Sequence, residues 1–267
     1  MSLMRTLRVL PTMWRIGLYE SIAYRAELFI WMLTTTMPLV MLPLWQAVAE
    51  TGPVGGYDVD HFTAYFLYAF IVRQLTSVWA SWTINMEVKQ GTLSMRLMRP
   101  IHPFWAYAIE SLSAMPLRLS IAAPLAIFVL YWTNARYVVD SWAMAGVGLL
   151  AIVGAWLISF SANLALGALS LFTQSSIKLM DVWLAGYFVM SGYLVPLSLF
   201  PAIVRNAPYW MPFRYLLGFP VELWSGGLTM HEALTQLAAQ WTWVLILGCI
   251  AALIWKGGLK RYSAVSG

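Results

Sequence analysis

Six long apolar runs divide the chain, at residues 28–49, 62–83, 105–132, 142–172, 182–200 and 234–255. Each approaches or exceeds the roughly 20 residues that an α-helix needs to cross a bilayer's hydrocarbon core. Within the runs Leu, Ala and Met follow one another without the period-two alternation of barrel strands, so helices are expected. The pattern predicts an all-α membrane protein, with six transmembrane helices in a single domain over residues 1–267.

The polar stretches between the runs are equally patterned. Residues 1–27 are too polar to span, but Trp14, Leu18 and Ile22 recur at helical spacing. That predicts an N-terminal helix lying in the membrane interface, with Arg8 and Arg15 reaching anionic head groups. Residues 201–230 are apolar and aromatic but interrupted by Pro201, Pro208, Pro212 and Pro220, and they carry Arg214, Glu222 and the Gly226-Gly227 pair. They predict a re-entrant external hairpin of short segments before helix 6. Between helices 2 and 3, "NMEVKQGTLSMRLMRPIHPF" (85–104) forms a basic island. If helical, it places Met86, Leu93, Leu97 and Ile101 on one face and Lys89, Arg96 and Arg99 on a neighbouring arc. Gly91 weakens or bends that helix and Pro100 ends it. Such a segment can bury its apolar face in a partner's groove while its basic arc pairs with an acidic rim.

Composition agrees with membrane residence: 61% of residues are hydrophobic and 10% charged, with a mean hydropathy of +0.71, outside the soluble range. Small-residue cleavage signals are imitated by Ala47-Val48-Ala49, but the preceding run is too long for a signal peptide and is read as a retained helix. Basic residues set orientation. Eleven of the 16 lie on one side: Arg5, Arg8, Arg15 and Arg25; Lys89, Arg96 and Arg99; Lys178; and Lys256, Lys260 and Arg261. The opposite loops hold only Arg136, Arg205 and Arg214, and they carry Glu50, Asp58, Asp60, Asp140, Glu222 and Glu232. A bacterial inner membrane with both termini on the cytoplasmic side is therefore expected, and the net charge of +5 is an orientation signal that gives little reason for a nucleic-acid partner. Trp31, Trp45, Trp105, Trp132, Trp241 and Trp255 are placed to form interfacial belts. The single Cys249 and the isolated His61, His102 and His231 offer no disulfide framework or metal-ligand spacing.

Charged residues inside apolar runs need a partner or water. Arg73 in helix 2, and Arg118 with Glu110 in helix 3, are read first as interhelical glue satisfied by Glu110 or by backbone carbonyls. In the alternative, one Arg faces a translocation path and attracts an anionic group. In helix 4, Ala151, Ala155, Ser159, Asn163 and Gly167 recur every four residues, a face for close packing, with Asn163 suited to an interhelical hydrogen bond.

The interfacial helix before "YRAELFIW", the "GTLSMRLMRPI" segment after helix 2, and "MSGYLVPLSLFP" leading into "PYWMPFRYLLGFPVELWSGG" together resemble the permease subunits of type-2 ABC transporters, over essentially the whole chain. The resemblance implies dimerisation with a second copy or a homologous permease, and a separate ATP-binding subunit docked on the cytoplasmic face. It also implies that Met86, Lys89, Leu93, Arg96, Leu97 and Arg99 form the coupling helix, and that transport runs by ATP-driven alternation, usually outward. No Gly-x-x-x-x-Gly-Lys-Ser/Thr phosphate loop occurs, so ATP and Mg are expected on the partner and no cofactor on this chain. The aromatic hairpin suggests an apolar or amphipathic cargo such as a drug, antibiotic or lipid-linked glycan. An ion-coupled secondary transporter would place acidic residues or paired broken helices in two related halves of the membrane domain. Only Glu110 and no evident repeat match that, and a non-transporting scaffold is the remaining alternative.

Overall fold

The computed structural model describes residues 3–132, 141–173 and 176–265. Arg136 and Asp140 of the expected external loop lie outside the described residues, as do the side chains of Arg5, Arg8 and Trp132. The described chain is predominantly helical, with one isolated bridge between Val54 and Tyr57 and no strand among the described residues.

Helix α1 (Leu3–Ala23) ends at an elbow before α2 (Arg25–Thr34). It rests against the helix that follows the basic island, where a Cβ on Gly17 would meet Ser113 Oγ at 2.3 Å. Trp14 and Ile22 of the expected interfacial face stay exposed. The first apolar run breaks between α2 and α3 (Met37–Ala49). Thr34, Thr35 and Thr36 each turn the hydroxyl back onto a carbonyl three residues earlier, and Pro38, in the first turn of α3, has no N–H to donate back to Thr34.

The second run also divides, into α4 (Val59–Thr76) and α5 (Ala80–Gln90). Asp58 caps α4 by accepting from the His61 amide at 2.7 Å. Helix α4 packs against α3 and, further along the chain, the second half of the third run, the fourth run and the hairpin. Phe62, Tyr65 and Phe66 are all fully buried. A helix enclosed by other helices need not be apolar enough for lipid. Gly91, at φ 72°, ends α5, and the five-residue α6 (Leu93–Leu97) follows. The basic island is therefore two short pieces around a left-handed turn, not one amphipathic helix.

The third run is α7 (Pro103–Ser113) and α8 (Met115–Trp132), joined at Ala114 ahead of Pro116. The fourth is α9 (Trp142–Ala168), finished by a 3-10 turn over Leu169–Leu171. For the fifth run the expected span at 182–200 is corrected. Helix α10 covers Ser176–Met190, and Gly192 at φ 85° turns the chain into irregular structure, fixed by Tyr65, which donates to the Gly192 carbonyl at 2.9 Å. In the hairpin, short 3-10 turns precede α11 (Gly218–Trp224), whose Phe219, Val221 and Leu223 are fully buried. Helix α12 (Met230–Val265) is longer than the expected 234–255. Its 36 residues reach roughly 54 Å.

Among the described residues four segments are long and apolar enough to cross a membrane: Arg25–Ala49, Pro103–Val129, Trp142–Leu171 and Met230–Tyr262. The other two expected spans are helical but do not meet that measure, α4 being too polar and α10 too short. Two buried cores stack along α9. One joins α3, α4, α11 and the first half of α9; the other joins α5, Leu93, Tyr107, the end of α9 and Trp255. The small-residue face of α9 is buried within one chain at Ala151, Ala155 and Asn163, with Gly167 packing on Ile84, while Gly148 packs on Trp224 and Gly154 on Gln240. Two Trp residues expected in lipid belts are instead internal. Trp255 is 3% exposed, edge-on to Phe104 and Tyr107, and Trp45 donates from Nε1 to the Leu194 carbonyl at 3.1 Å.

Candidate functional site

The turn between α5 and α7 is built on an ion-pair latch. Arg96 donates from Nε to Glu87 Oε1 at 2.8 Å and from Nη1 to Glu110 Oε1 at 2.7 Å, and its guanidinium lies 4.2 Å from the Tyr107 ring centroid. Tyr107 in turn donates its hydroxyl proton to Glu87. One planar fork thus ties α5, α6 and α7 together, a geometry that lysine cannot reproduce. Burial opposes the Arg96 charge, but the hydrogen bonds and charges of Glu110 and Glu87 outweigh it and hold its pKa above the ordinary value.

The latch decides which side chains of the island face outward. Leu93 is fully buried in the second core, Leu97 packs partly against that core, and Met86 is half-buried. Lys89 and Arg99 are exposed, together with Met95 at 56% and Met98 at 78%. The available surface is therefore an apolar pair flanked by two cations. Leu93 and Arg96 anchor it from beneath.

The remaining candidates are spread through the bundle. Arg118 is buried and donates to the carbonyls of Gln74 (3.2 Å), Ser77 (3.1 Å) and Ser111 (3.0 Å). It closes the break between α4 and α5 by satisfying carbonyls that α4 leaves open at its end. Glu110 plays no part there, since its partner is Arg96. Arg73 stacks on Tyr187 of α10 at 4.7 Å from the ring centroid. Asn163 accepts from the Ser81 hydroxyl at 2.9 Å and donates to the Ser159 carbonyl, so it bridges α9 and α5. Within the hairpin, Arg214 is 1% exposed and pairs with Glu222 Oε1 at 3.1 Å and with Gln236 Oε1 at 3.1 Å, beneath the Tyr209 ring. Ahead of it, Ile203 (96%) and Trp210 (83%) stand exposed.

Sequence reasoning passed over Glu87 and Tyr107. Their signal is local: an acid inside a basic island, and a tyrosine one turn before Glu110.

Helices of membrane length packed on two buried apolar cores, with a few paired polar side chains between them and a basic tip at one end, define a multi-pass helical membrane protein. The family model for ABC-2 family transporter proteins matches residues 29–266, and the chain belongs to that family, the one its motifs resemble. Members are membrane permeases that generally work with an ATP-binding subunit. A comparison with curated proteins finds no match to this chain.

Proposed function

We propose that this chain is the permease subunit of an ATP-driven exporter for an apolar or amphipathic substrate, such as a drug, antibiotic or lipid-linked glycan. It works as a dimer with a second copy or a homologous permease, in a bacterial inner membrane with both termini cytoplasmic. ATP and Mg are bound by a separate subunit that grips the turn between α5 and α7.

The observation that best supports this reading is the division of labour in the turn. Met95 on the five-residue α6 and Met98 at its C-cap stand on a turn whose inner side is locked to α5 and α7 by Arg96. A push on the methionines would be carried into α5, and across the Arg118-held break into α4, without being absorbed by a loose loop. Exposed methionines beside Lys89 and Arg99 suit a groove with an acidic rim.

The test is co-purification of the native complex, followed by ATPase and transport assays in proteoliposomes. Met95→Asp/Met98→Asp is expected to cut substrate-stimulated ATP hydrolysis about tenfold or more and to reduce ATPase retention, with the permease still folded. Full retention and normal coupling in that variant, or nucleotide-independent transport, would overturn the proposal.

A further inference from the structure

A cavity of about 450 Å³ lies between the α1–α2 elbow and the break that separates α4 from α5. This is the size of a small-molecule site, which runs roughly 300–1,000 Å³. It is distinct from the methionine tip.

Floor and rim carry opposite charge. Arg118 lines the floor and is 8% exposed. Three of its five N–H groups are taken by carbonyls, and none of the ion pairs among the described residues includes it. Carbonyl dipoles satisfy its hydrogen bonds but leave a whole positive charge without a counter-ion. Gln74 lies beside it, 1% exposed, with its amide nitrogen on Thr35 and its Oε1 without a hydrogen-bond partner among the described residues. Glu20 and Glu27, both exposed, line the same cavity from either side of the elbow.

Between these charges stands an indole wall of Trp31, Trp79 and Trp82. Trp31 and Trp79 lie 4.9 Å apart, and Trp31 is oriented by its Nε1 donating to Glu27 at 3.4 Å. Indole faces beside carboxylates attract an organic cation. A buried guanidinium attracts a phosphate. A purely anionic ligand would meet the two rim carboxylates, and a purely cationic one would meet Arg118. A ligand carrying both charges a few bonds apart satisfies both ends. An ammonium that keeps its N–H groups can also donate to the Glu20 and Glu27 carboxylates, as ethanolamine can and choline cannot.

We propose that this cavity binds the phosphoethanolamine headgroup of a membrane phospholipid. The phosphate faces Arg118, the ammonium lies against the indoles and Glu20 and Glu27, and the acyl chains run over Ile30 and Leu33, which are exposed on α2. Its elbow location makes the lipid a strut between α1–α2 and the α4 break, whatever cargo the protein moves.

Native mass spectrometry of the purified chain in maltoside detergent tests this. Phosphatidylethanolamine, phosphatidylcholine and phosphatidylglycerol with identical acyl chains are titrated in turn. Phosphatidylethanolamine is expected to bind about tenfold more tightly than phosphatidylglycerol and several-fold more tightly than phosphatidylcholine. Glu20→Gln/Glu27→Gln changes only exposed side chains, so folding is not at stake, and it should abolish the preference for phosphatidylethanolamine over phosphatidylglycerol. Trp82→Ala should weaken phosphatidylethanolamine several-fold. Equal affinity for the three lipids, or an undiminished preference in the double variant, would overturn the assignment.

Discussion

Arg96 and Arg118 are both guanidinium groups inside a membrane protein, yet their surroundings give them different tasks. Arg96 has two carboxylates and an aromatic face, so removing it leaves Glu87 and Glu110 repelling each other in a half-buried site. Arg96→Ala should therefore lower stability by about 2 kcal/mol, a value held down by the partial exposure of Glu110. Arg96→Lys should recover only part of the loss, because an ammonium cannot fork between two acids and stack on a ring. Thermal unfolding in detergent measures both, and an alanine variant as stable as the parent would show that the latch does not hold the turn. Among the described residues Arg118 is held by carbonyls alone, and its removal would expose the end of α4. The island's pattern pointed to the turn, but it assigned Leu93 and Arg96 outward. Helical periodicity ranks residues by face without saying which face the rest of the chain already occupies, and here Tyr107 and Glu110 claim the Arg96 side.

At the scale of elements, the all-helical architecture and four membrane-length helices were legible, and what escaped was where the helices break. Thr34–Thr36 before Pro38, and Gly91, are local signals. The interruption at Ser77–Trp79 has neither Pro nor Gly, because its cause is Arg118, which lies about 40 residues further along the chain and supplies the donors that a continued helix would have supplied. The end of α10 at Gly192 is likewise tertiary, set by the Tyr65 hydroxyl. Two left-handed glycines should respond differently to alanine. Around Gly91 a Cβ would meet nothing within 4 Å, so Gly91→Ala should cost only the backbone strain of about 1 kcal/mol. At Gly192 a Cβ would meet the Tyr65 hydroxyl at 2.5 Å, so Gly192→Ala should cost clearly more and loosen the hydrogen bond that stops α10. Unfolding midpoints of the two variants make the comparison, and equal losses would count against Tyr65 as the stop.

For the whole molecule, α9 acts as a ruler. Gly148 near its start touches Trp224 at the end of the hairpin helix, and Gly167 near its finish touches Ile84 of α5. Nineteen residues of helix separate the two glycines, roughly 28 Å, close to the thickness of a hydrocarbon core. The hairpin and the methionine tip therefore belong to opposite faces if α9 crosses the bilayer. Arg214 and Glu222 neutralise each other at the hairpin end, whereas Lys89 and Arg99 stand exposed at the tip, so the charge bias that governs insertion favours the tip for the cytoplasm. With Cys249, which is exposed, replaced by serine, a cysteine at Trp210 should react with a membrane-impermeant maleimide in intact spheroplasts. A cysteine at Met98 should react only after lysis. Labelling of Met98→Cys from outside would invert the molecule and, with it, remove any cytoplasmic ATPase from reach of the turn.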